Sequence, residues 1–290
     1  MKHRRKLIVS ALLIIAHPLC AQFTPTISVG GEYMQSSKTE FDETDQGFTL
    51  RKASADIAFT HPYASASSAT LGCTFSRLDY DFDRSIENPL PWEKINEVNA
   101  VLIVDHNISP TWNAIGLGLV RSAYDTEARF QDSITWGAGF GIQNTLSEKL
   151  SVVYGLGYLT RLERDGVVLP IFGIEWQITD RLKMSGILGF DLEYDLWGDG
   201  SGFLNAGLEC ELTDFRVRKD PVSGRKTAIE PTVGALYLSY SHKISEQASF
   251  FLKVSSYGEQ EYKTYSNDRE IASMDADAFV LYGAGFCLVF

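Results

Sequence analysis

Apolar and polar residues alternate with a period of two along most of the chain after Thr24, which is the pattern of β-strands with two different faces. The clearest segments are residues 134–143, 151–158 and 204–213, each with large apolar side chains on one face. In the first segment the apolar face carries Ile134, Trp136, Ala138, Phe140 and Ile142. Because no stretch shows the period of an amphipathic helix, the pattern predicts an all-β protein.

The opposite faces of these strands carry glycine and charged residues, and this distinguishes two kinds of all-β fold. A soluble β-sandwich also alternates, but its polar face meets bulk water and has no need for many glycines. In a transmembrane barrel the apolar face meets lipid, the small or polar face lines the lumen, and closure leaves no unpaired edge. We therefore predict an antiparallel transmembrane β-barrel.

The connections between strands alternate in length, which is typical of outer-membrane barrels. Short turns are predicted at 109–111, 147–149, 179–181, 198–200 and 245–247, with a slightly longer one at 61–67. Long polar loops are predicted at 36–46, 79–94, 125–132, 218–227 and 259–277. The count is fourteen strands, or twelve if residues 181–198 do not form a hairpin of strands about nine residues long. The short turns would face the periplasm.

The N-terminus predicts export. Four basic residues among the first six precede an apolar run, and Ala21 stands before a polar residue. This order is typical of a secretory signal peptide, and the run is shorter than the ~20 residues of a membrane-spanning helix. We predict that residues 1–21 are a cleaved signal peptide and that residues 22–290 form the barrel. Lipidation of Cys20 is the alternative.

Composition excludes some functions. Loss of the four basic signal residues takes the formal charge from -11 to -15, and nucleic-acid binding needs a basic surface instead. The remaining Cys73, Cys210 and Cys287 are irregularly spaced. They predict neither a disulfide framework nor a zinc site.

The last strand carries a candidate assembly signal. Tyr282, Ala284, Phe286, Leu288 and Phe290 share one face of it. Apolar residues at every second position, ending in an aromatic residue, resemble the signal recognised by the outer-membrane barrel assembly machinery. We expect Tyr282, Phe286, Leu288 and Phe290 to serve this purpose.

Charged residues on the polar faces are expected to point into the barrel, because a lysine exposed to lipid at the midplane costs roughly 2–4 kcal/mol. The expected lumen-lining residues are Glu175, Lys183, Asp191, Glu193, Asp195, Glu209, Glu211 and Lys253. They either line a water-filled pore whose acidic bias favours cations, or pair across a filled lumen. Glycines on the same faces, such as Gly139, Gly155 and Gly285, leave space and favour a cavity.

Residues able to support catalysis or metal binding are sparse. His61, His106 and His242 lie near short turns on strands far apart, so no metal site is expected. Asp105 and His106 are adjacent in a strand and must face opposite ways. The sequence contains no Gly-x-Ser-x-Gly nucleophile elbow. We predict no catalytic residue and no cofactor.

One loop region is basic. Its cationic residues are Arg216, Arg218, Lys219, Arg225 and Lys226. They are candidates for contact with phosphate groups of a surface glycolipid, and the alternative is a solvated loop.

Residues 169–177 and the following Thr179-Asp180-Arg181 resemble a family of probable bacterial outer-membrane barrels whose domain has no assigned function. The shared features are a Pro-x-x-Gly-x-x-Trp strand, a short turn, a second strand and a downstream tyrosine, here Tyr194. The strand at 207–217 and the closing strand also fit, so the likeness covers roughly the last 140 residues. The chain resembles porin-like barrels more loosely. The family implies a barrel fold and supplies no catalytic residues.

The sequence thus predicts a bacterial outer-membrane β-barrel that contacts membrane lipid and acts as a passive pore or as a structural or surface barrel, without enzymatic activity. Two alternatives stay open. One is a barrel hydrolase acting on lipid or peptide, and the other is a soluble periplasmic β protein that binds a ligand.

Overall fold

The computed structural model describes residues 25–41, 47–83, 92–187, 189–212, 214–217 and 226–290. Its eighteen strands in the described ranges are, in chain order, β1 (Thr26–Ser36), β2 (Thr39–Glu40), β3 (Gly47–Ala64), β4 (Ser67–Phe82), β5 (Lys94–Ser109), β6 (Trp112–Asp125), β7 (Ile134–Ser147), β8 (Leu150–Arg161), β9 (Arg164–Gln177), β10 (Leu182–Ile187), β11 (Phe190–Asp195), β12 (Gly202–Leu212), β13 (Phe215–Val217), β14 (Thr227–Lys243), β15 (Ala248–Tyr257), β16 (Gln260–Ser266), β17 (Arg269–Ala276) and β18 (Phe279–Val289). A single 3₁₀ turn at Phe130–Ser133 interrupts this series.

Fourteen of these strands form one closed antiparallel ring, which confirms the predicted barrel. β1 pairs with β3 on one side and with β18 on the other, so the ring has no free edge. In ring order, β3 to β12 follow one another, and β14, β15 and β18 complete the circle. The four strands outside the ring are β2, β13, β16 and β17.

The hairpin on which the strand count depends is present. β10 and β11 pair from Leu182 opposite Tyr194 to Ser185 opposite Asp191. Each strand has six residues rather than the nine expected. The count of fourteen is therefore confirmed.

Side chains alternate between the two faces of the barrel wall as the sequence predicts. Large apolar residues on the outer face remain exposed around the ring, for example Ile57, Leu102, Leu156 and Phe172. Aromatic residues border this belt at both ends: Trp112, Trp176 and Trp197 near the short turns, and Tyr33, Trp136, Tyr158 and Tyr282 near the opposite end. An apolar belt between two aromatic girdles is the surface that a bilayer covers. None of the helices in the described ranges has the length and apolar character needed to cross a membrane.

One end of the barrel, here called the turn end, has short connections. β3 and β4 are joined by two residues, with Ala66 at a positive φ of 59°, so the longer connection expected at 61–67 is wrong. β5 and β6, and β7 and β8, are also joined by two residues. In the β11–β12 turn Gly198 lies against the Arg181 guanidinium and has a φ of 78°, a left-handed conformation that would be strained with a side chain.

The other end, here called the loop end, carries extra strands. Residues 259–277, predicted to be a polar loop, instead contain the β16–β17 hairpin. Its turn residues Asn267 and Asp268 both have positive φ, which matches the twist of a two-residue hairpin. Above the ring, residues 227–231 of β14 pair with β13 and with β16. The extra strands at the loop end therefore bear on whether the lumen is open there.

Candidate channel lumen

Charged side chains on the inner wall form ion pairs at several heights of the barrel. Glu175 on β9 accepts a hydrogen bond from Lys183 on β10, with 2.8 Å between Oε1 and Nζ. Lys253 on β15 donates to Glu209 on β12 and passes over the ring of Tyr237 on the intervening β14, 4.7 Å from its centroid. These four charged side chains are 14% to 22% exposed, so solvent reaches them.

The other half of the ring carries a second set of pairs. The Arg121 guanidinium on β6 lies 2.9 Å from the Glu97 carboxylate on β5. Lys52 on β3 lies 4.0 Å from Glu32 on β1. Each lysine or arginine in these four pairs thus stands beside a glutamate. The basic charge of this inner wall is neutralised locally.

Inner acids outnumber inner bases. Among the described residues, Asp56, Asp191 and Glu193 have no lysine or arginine nitrogen within 4.0 Å. Asp191 accepts a hydrogen bond of 2.7 Å from the Tyr237 hydroxyl instead. The described part of the inner wall therefore has an acidic excess.

Of two further residues predicted to line the lumen, Asp195 has another role and Glu211 is not described. The Asp195 carboxylate accepts hydrogen bonds from the backbone amides of Trp197, Gly198 and Gly200. It stabilises the β11–β12 turn rather than presenting a free charge to the lumen. Glu211 belongs to β12, but its side chain lies outside the described residues.

The inner glycines leave less space than their number indicates. A Cβ on Gly285 would lie 2.3 Å from the Phe251 ring, and one on Gly207 would lie 2.7 Å from the Tyr237 ring. A Cβ on Gly139 would lie 3.0 Å from Cδ1 of Ile171. Neighbouring side chains therefore fold over these glycines and fill part of the expected cavity.

The loop end of the lumen is filled by apolar side chains, here called the seal. Its buried members are 0% to 8% exposed, in contrast to the solvated charges below. Ring contacts connect its parts, with centroids 6.2 Å apart for Phe48 and Phe279 and 5.9 Å apart for Trp92 and Tyr262. The aromatic members are Phe41, Phe48, Tyr80, Phe82, Trp92, Phe215, Tyr257, Tyr262 and Phe279.

The sequence analysis missed the seal, although a signal for it exists. Along β3 the apolar side chains switch faces: Phe48 and Leu50 point inward near the loop end, whereas Ile57 and Phe59 point outward. Arg51 occupies the outer face where the switch occurs. Such a change of phase marks where a strand leaves the lipid, because the outer face must then meet water.

Burial also affects the chemistry of the seal. Removal from water raises the pKa of the Tyr262 phenol well above its ordinary value, and a hydrogen bond with Tyr80 adds to the shift. Tyr262 therefore stays neutral at physiological pH, and the seal carries no charge from it.

The described histidines, His61, His106 and His242, lie on the outer surface at the turn end, without a shared site. His61 stacks on Phe59, and the Tyr63 hydroxyl lies 3.2 Å from Nδ1 of His106. No group of three His, Cys, Asp or Glu residues within the described ranges is placed to hold a metal ion.

Arg216, a candidate for contact with surface phosphates, is buried inside the protein. It is 6% exposed, and its Nη1 donates to Oε1 of Glu163 at 2.5 Å. Lys226 pairs with Asp132 at 2.7 Å. The other three basic residues of this region, at 218, 219 and 225, lie outside the described residues.

The candidate assembly residues share the outer face of β18. Tyr282 is 51% exposed, Phe286 48% and the final Phe290 66%, and Leu288 lies on the same face. This placement leaves them accessible, and their role in assembly stays a prediction.

Comparison with solved structures finds bacterial outer-membrane barrels. An outer membrane channel from Pseudomonas putida F1 is 13% identical, with 95% of this chain and 97% of that chain covered and a TM-score of 0.43. The toluene transporter TodX of P. putida is 8% identical, with 93% and 91% covered and a TM-score of 0.43. The KdgM porin is 8% identical, with 91% and 99% covered and a TM-score of 0.38. No protein-family profile and no curated protein matches the sequence.

Proposed function

We propose that this protein is a passive, cation-preferring channel of the bacterial outer membrane. The observation that carries the proposal is the charged inner wall, where four ion pairs and surplus acids line a closed barrel and the side chains of three of the pairs are 14% to 22% exposed. A polar core that only filled the lumen would exclude solvent from these three pairs.

The location follows from the outer surface and the predicted targeting features. A belt of exposed Ile, Leu, Phe and Val between two aromatic girdles is unfavourable in water and favourable in lipid. The predicted signal peptide and the candidate assembly strand provide a route to an outer membrane. A soluble periplasmic protein would leave this belt without a partner.

A structural or surface barrel is the second candidate, and the seal at the loop end favours it. A permanently sealed lumen would pass no ions. The hydrolase alternative loses support, because Asp105 points inward and His106 outward on β5. These two residues cannot act together on one substrate.

Neutralising surplus acids should weaken cation preference. We expect Asp56→Asn combined with Glu193→Gln to lower the K⁺/Cl⁻ permeability ratio roughly 16-fold, because each charge some 10 Å from an ion in water favours K⁺ and disfavours Cl⁻ by a factor of roughly two each. Reversal potentials in a salt gradient measure this ratio. Glu209→Gln is a poorer choice, since it leaves Lys253 without its partner.

Asp81→Asn provides the matched control for the selectivity measurement. Asp81 is acidic, 68% exposed and on the outer face of β4 near the loop end, so its loss should leave the ratio unchanged. Ion flux into proteoliposomes detects even rare openings of the wild type. If neither the wild type nor variants that disrupt the seal pass ions, the channel proposal is wrong and the structural barrel remains.

A further inference from the structure

A short strand links opposite walls of the barrel at the loop end. β13 pairs antiparallel with β14 through Phe215 opposite Ile229, and parallel with β6 through Arg216 opposite Tyr124. β6 and β14 lie seven places apart in the ring of fourteen, so they are diametrically opposed. β13 therefore crosses the mouth of the lumen.

Further strands extend this crossing into a small sheet, here called the lid. It consists of β13, residues 227–231 of β14, β16 and β17. Side chains of the lid complete the seal from above: Phe215 lies 5.8 Å from Trp92, and Tyr262 lies 6.5 Å from Phe48 on the wall. The seal is thus formed between the lid and the barrel.

The β8–β9 hairpin holds the lid through Glu163 in its turn. One carboxylate oxygen accepts from Arg216 of β13 at 2.5 Å, and the other accepts from the backbone amide of Asn267 at 3.0 Å. The Glu163 carbonyl accepts from the amide of Asp268 at 3.0 Å. Arg216 also donates from Nε to the Asp132 carbonyl at 2.9 Å. One glutamate thus contacts both β13 and the β16–β17 turn.

A second contact acts in the same place. Glu230, on the lid segment of β14, pairs with Arg161 and with Arg164 of the β8–β9 hairpin, the latter at 2.5 Å. The Arg164 guanidinium also covers the ring of Tyr265 on β16, 4.4 Å from its centroid. Arg216 and Glu230 therefore attach the lid to one hairpin by ionic contacts. These contacts, with those of Glu163, are here called the clamp.

We infer that the lid is a gate, and that the clamp on the β8–β9 hairpin holds it closed over the lumen. The inference rests on the proposed function and gives it a mechanism. When the clamp breaks, the lid rotates away from the barrel about its connections to β14 and β15, and the ring contacts of the seal separate. Near Phe48, β16 and β17 are joined to the wall by ring packing, by the Tyr80–Tyr262 hydrogen bond and by a backbone bridge between Phe41 and Ala276. The ionic contacts of the lid named here lie on the opposite side, in the clamp, and they bind charged groups that water can also solvate. We therefore place the start of opening at the clamp.

Chemical accessibility from the loop end tests the gate. A single cysteine at Ser54, on the inner face of β3 six positions below Phe48, is placed in a background carrying Cys20→Ser, Cys73→Ser, Cys210→Ser and Cys287→Ser. A membrane-impermeant maleimide is applied to intact cells. We expect Arg216→Gln to raise the labelling rate about tenfold or more, the factor that corresponds to hydrogen bonds lost from a charged group.

Lys38→Gln is the matched control. It removes an exposed cation at the loop end that pairs with Glu40 and Asp83 outside the clamp, so labelling should not change. If Arg216→Gln does not assemble, Glu163→Gln removes charge from the same contact with less disruption. Heat-modifiable migration verifies that each labelled variant is folded.

The outcomes separate the gate from the channel. Faster labelling in clamp variants with increased ion flux supports both, and faster labelling without flux supports the gate while overturning the proposed channel. Equal labelling in folded clamp variants and wild type overturns the gate, whether the wild type labels quickly or slowly. If ion flux through the wild type then equals ion flux through the clamp variants, the channel conducts without a gate.

Discussion

Leu102→Arg should destabilise the barrel by about 2–4 kcal/mol, the cost of an arginine facing lipid near the bilayer midplane. Leu102 is 46% exposed on the outer face of β5, opposite Leu71 and Gly118 in the middle of the apolar belt. The guanidinium would have no water or carboxylate within reach there. Reversible unfolding by urea in lipid vesicles measures the loss.

Val101→Arg is the matched control for this prediction. Val101 precedes Leu102 and faces the lumen opposite Gly72 and Leu119, where the side chain is partly exposed and the new cation would not face lipid. We expect a loss well below that of Leu102→Arg. Equal losses, or a larger one at Val101, would contradict the assignment of the two faces.

Trp92→Ala should open the loop end. Trp92 is 2% exposed and contacts the rings of Tyr80, Phe82, Phe215 and Tyr262 at centroid distances between 5.8 and 6.5 Å. Truncating so large a buried side chain costs about 3–5 kcal/mol. The loss falls on the seal, because Trp92 lies between β4 and β5 and not in the ring.

Ion flux through proteoliposomes should therefore rise at least about 100-fold, since each 1.4 kcal/mol corresponds to a tenfold change in an equilibrium. Trp92→Phe keeps an aromatic ring and removes an indole Nε1 that has no hydrogen-bond partner among the described residues, so the seal should stay closed. Trp197→Ala, at an exposed girdle position, should leave flux unchanged. Unchanged flux in Trp92→Ala with a folded barrel would show that the seal does not control permeation.

The barrel could be predicted from the sequence because one rule governs the membrane-spanning part. Each strand there alternates between lipid and lumen, so Phe140 and Leu156 identify the outer face without knowledge of their neighbours. Short turns then predict the strand order, whereas the β10–β11 hairpin leaves a choice between twelve and fourteen strands that only the structure decides. Charged residues such as Glu175 and Lys253 were placed inward for the same reason.

The lid could not be predicted by that rule. β16 and β17 lie in a polar stretch, and their turn has Asn267-Asp268 instead of the more recognisable Asn-Gly. The contact of Arg216 with Glu163 joins residues 53 positions apart and depends on the register of strands that cross the lumen. Similarly, the pairing of Glu209 with Lys253 spans β14, so neither residue's partner was visible in the local pattern.

The most direct test of the barrel with a solvated lumen is a scan of spin-label accessibility along β5 in a lipid bilayer. Single labels at 98–104 avoid glycine and cross the apolar belt. Oxygen, which concentrates in lipid, should reach positions 98, 100, 102 and 104, and a water-soluble nickel chelate should reach 99, 101 and 103. Two accessibilities that vary out of phase with a period of two are the predicted result. Accessibilities that rise and fall together, or a nickel chelate that reaches none of these positions, would contradict it.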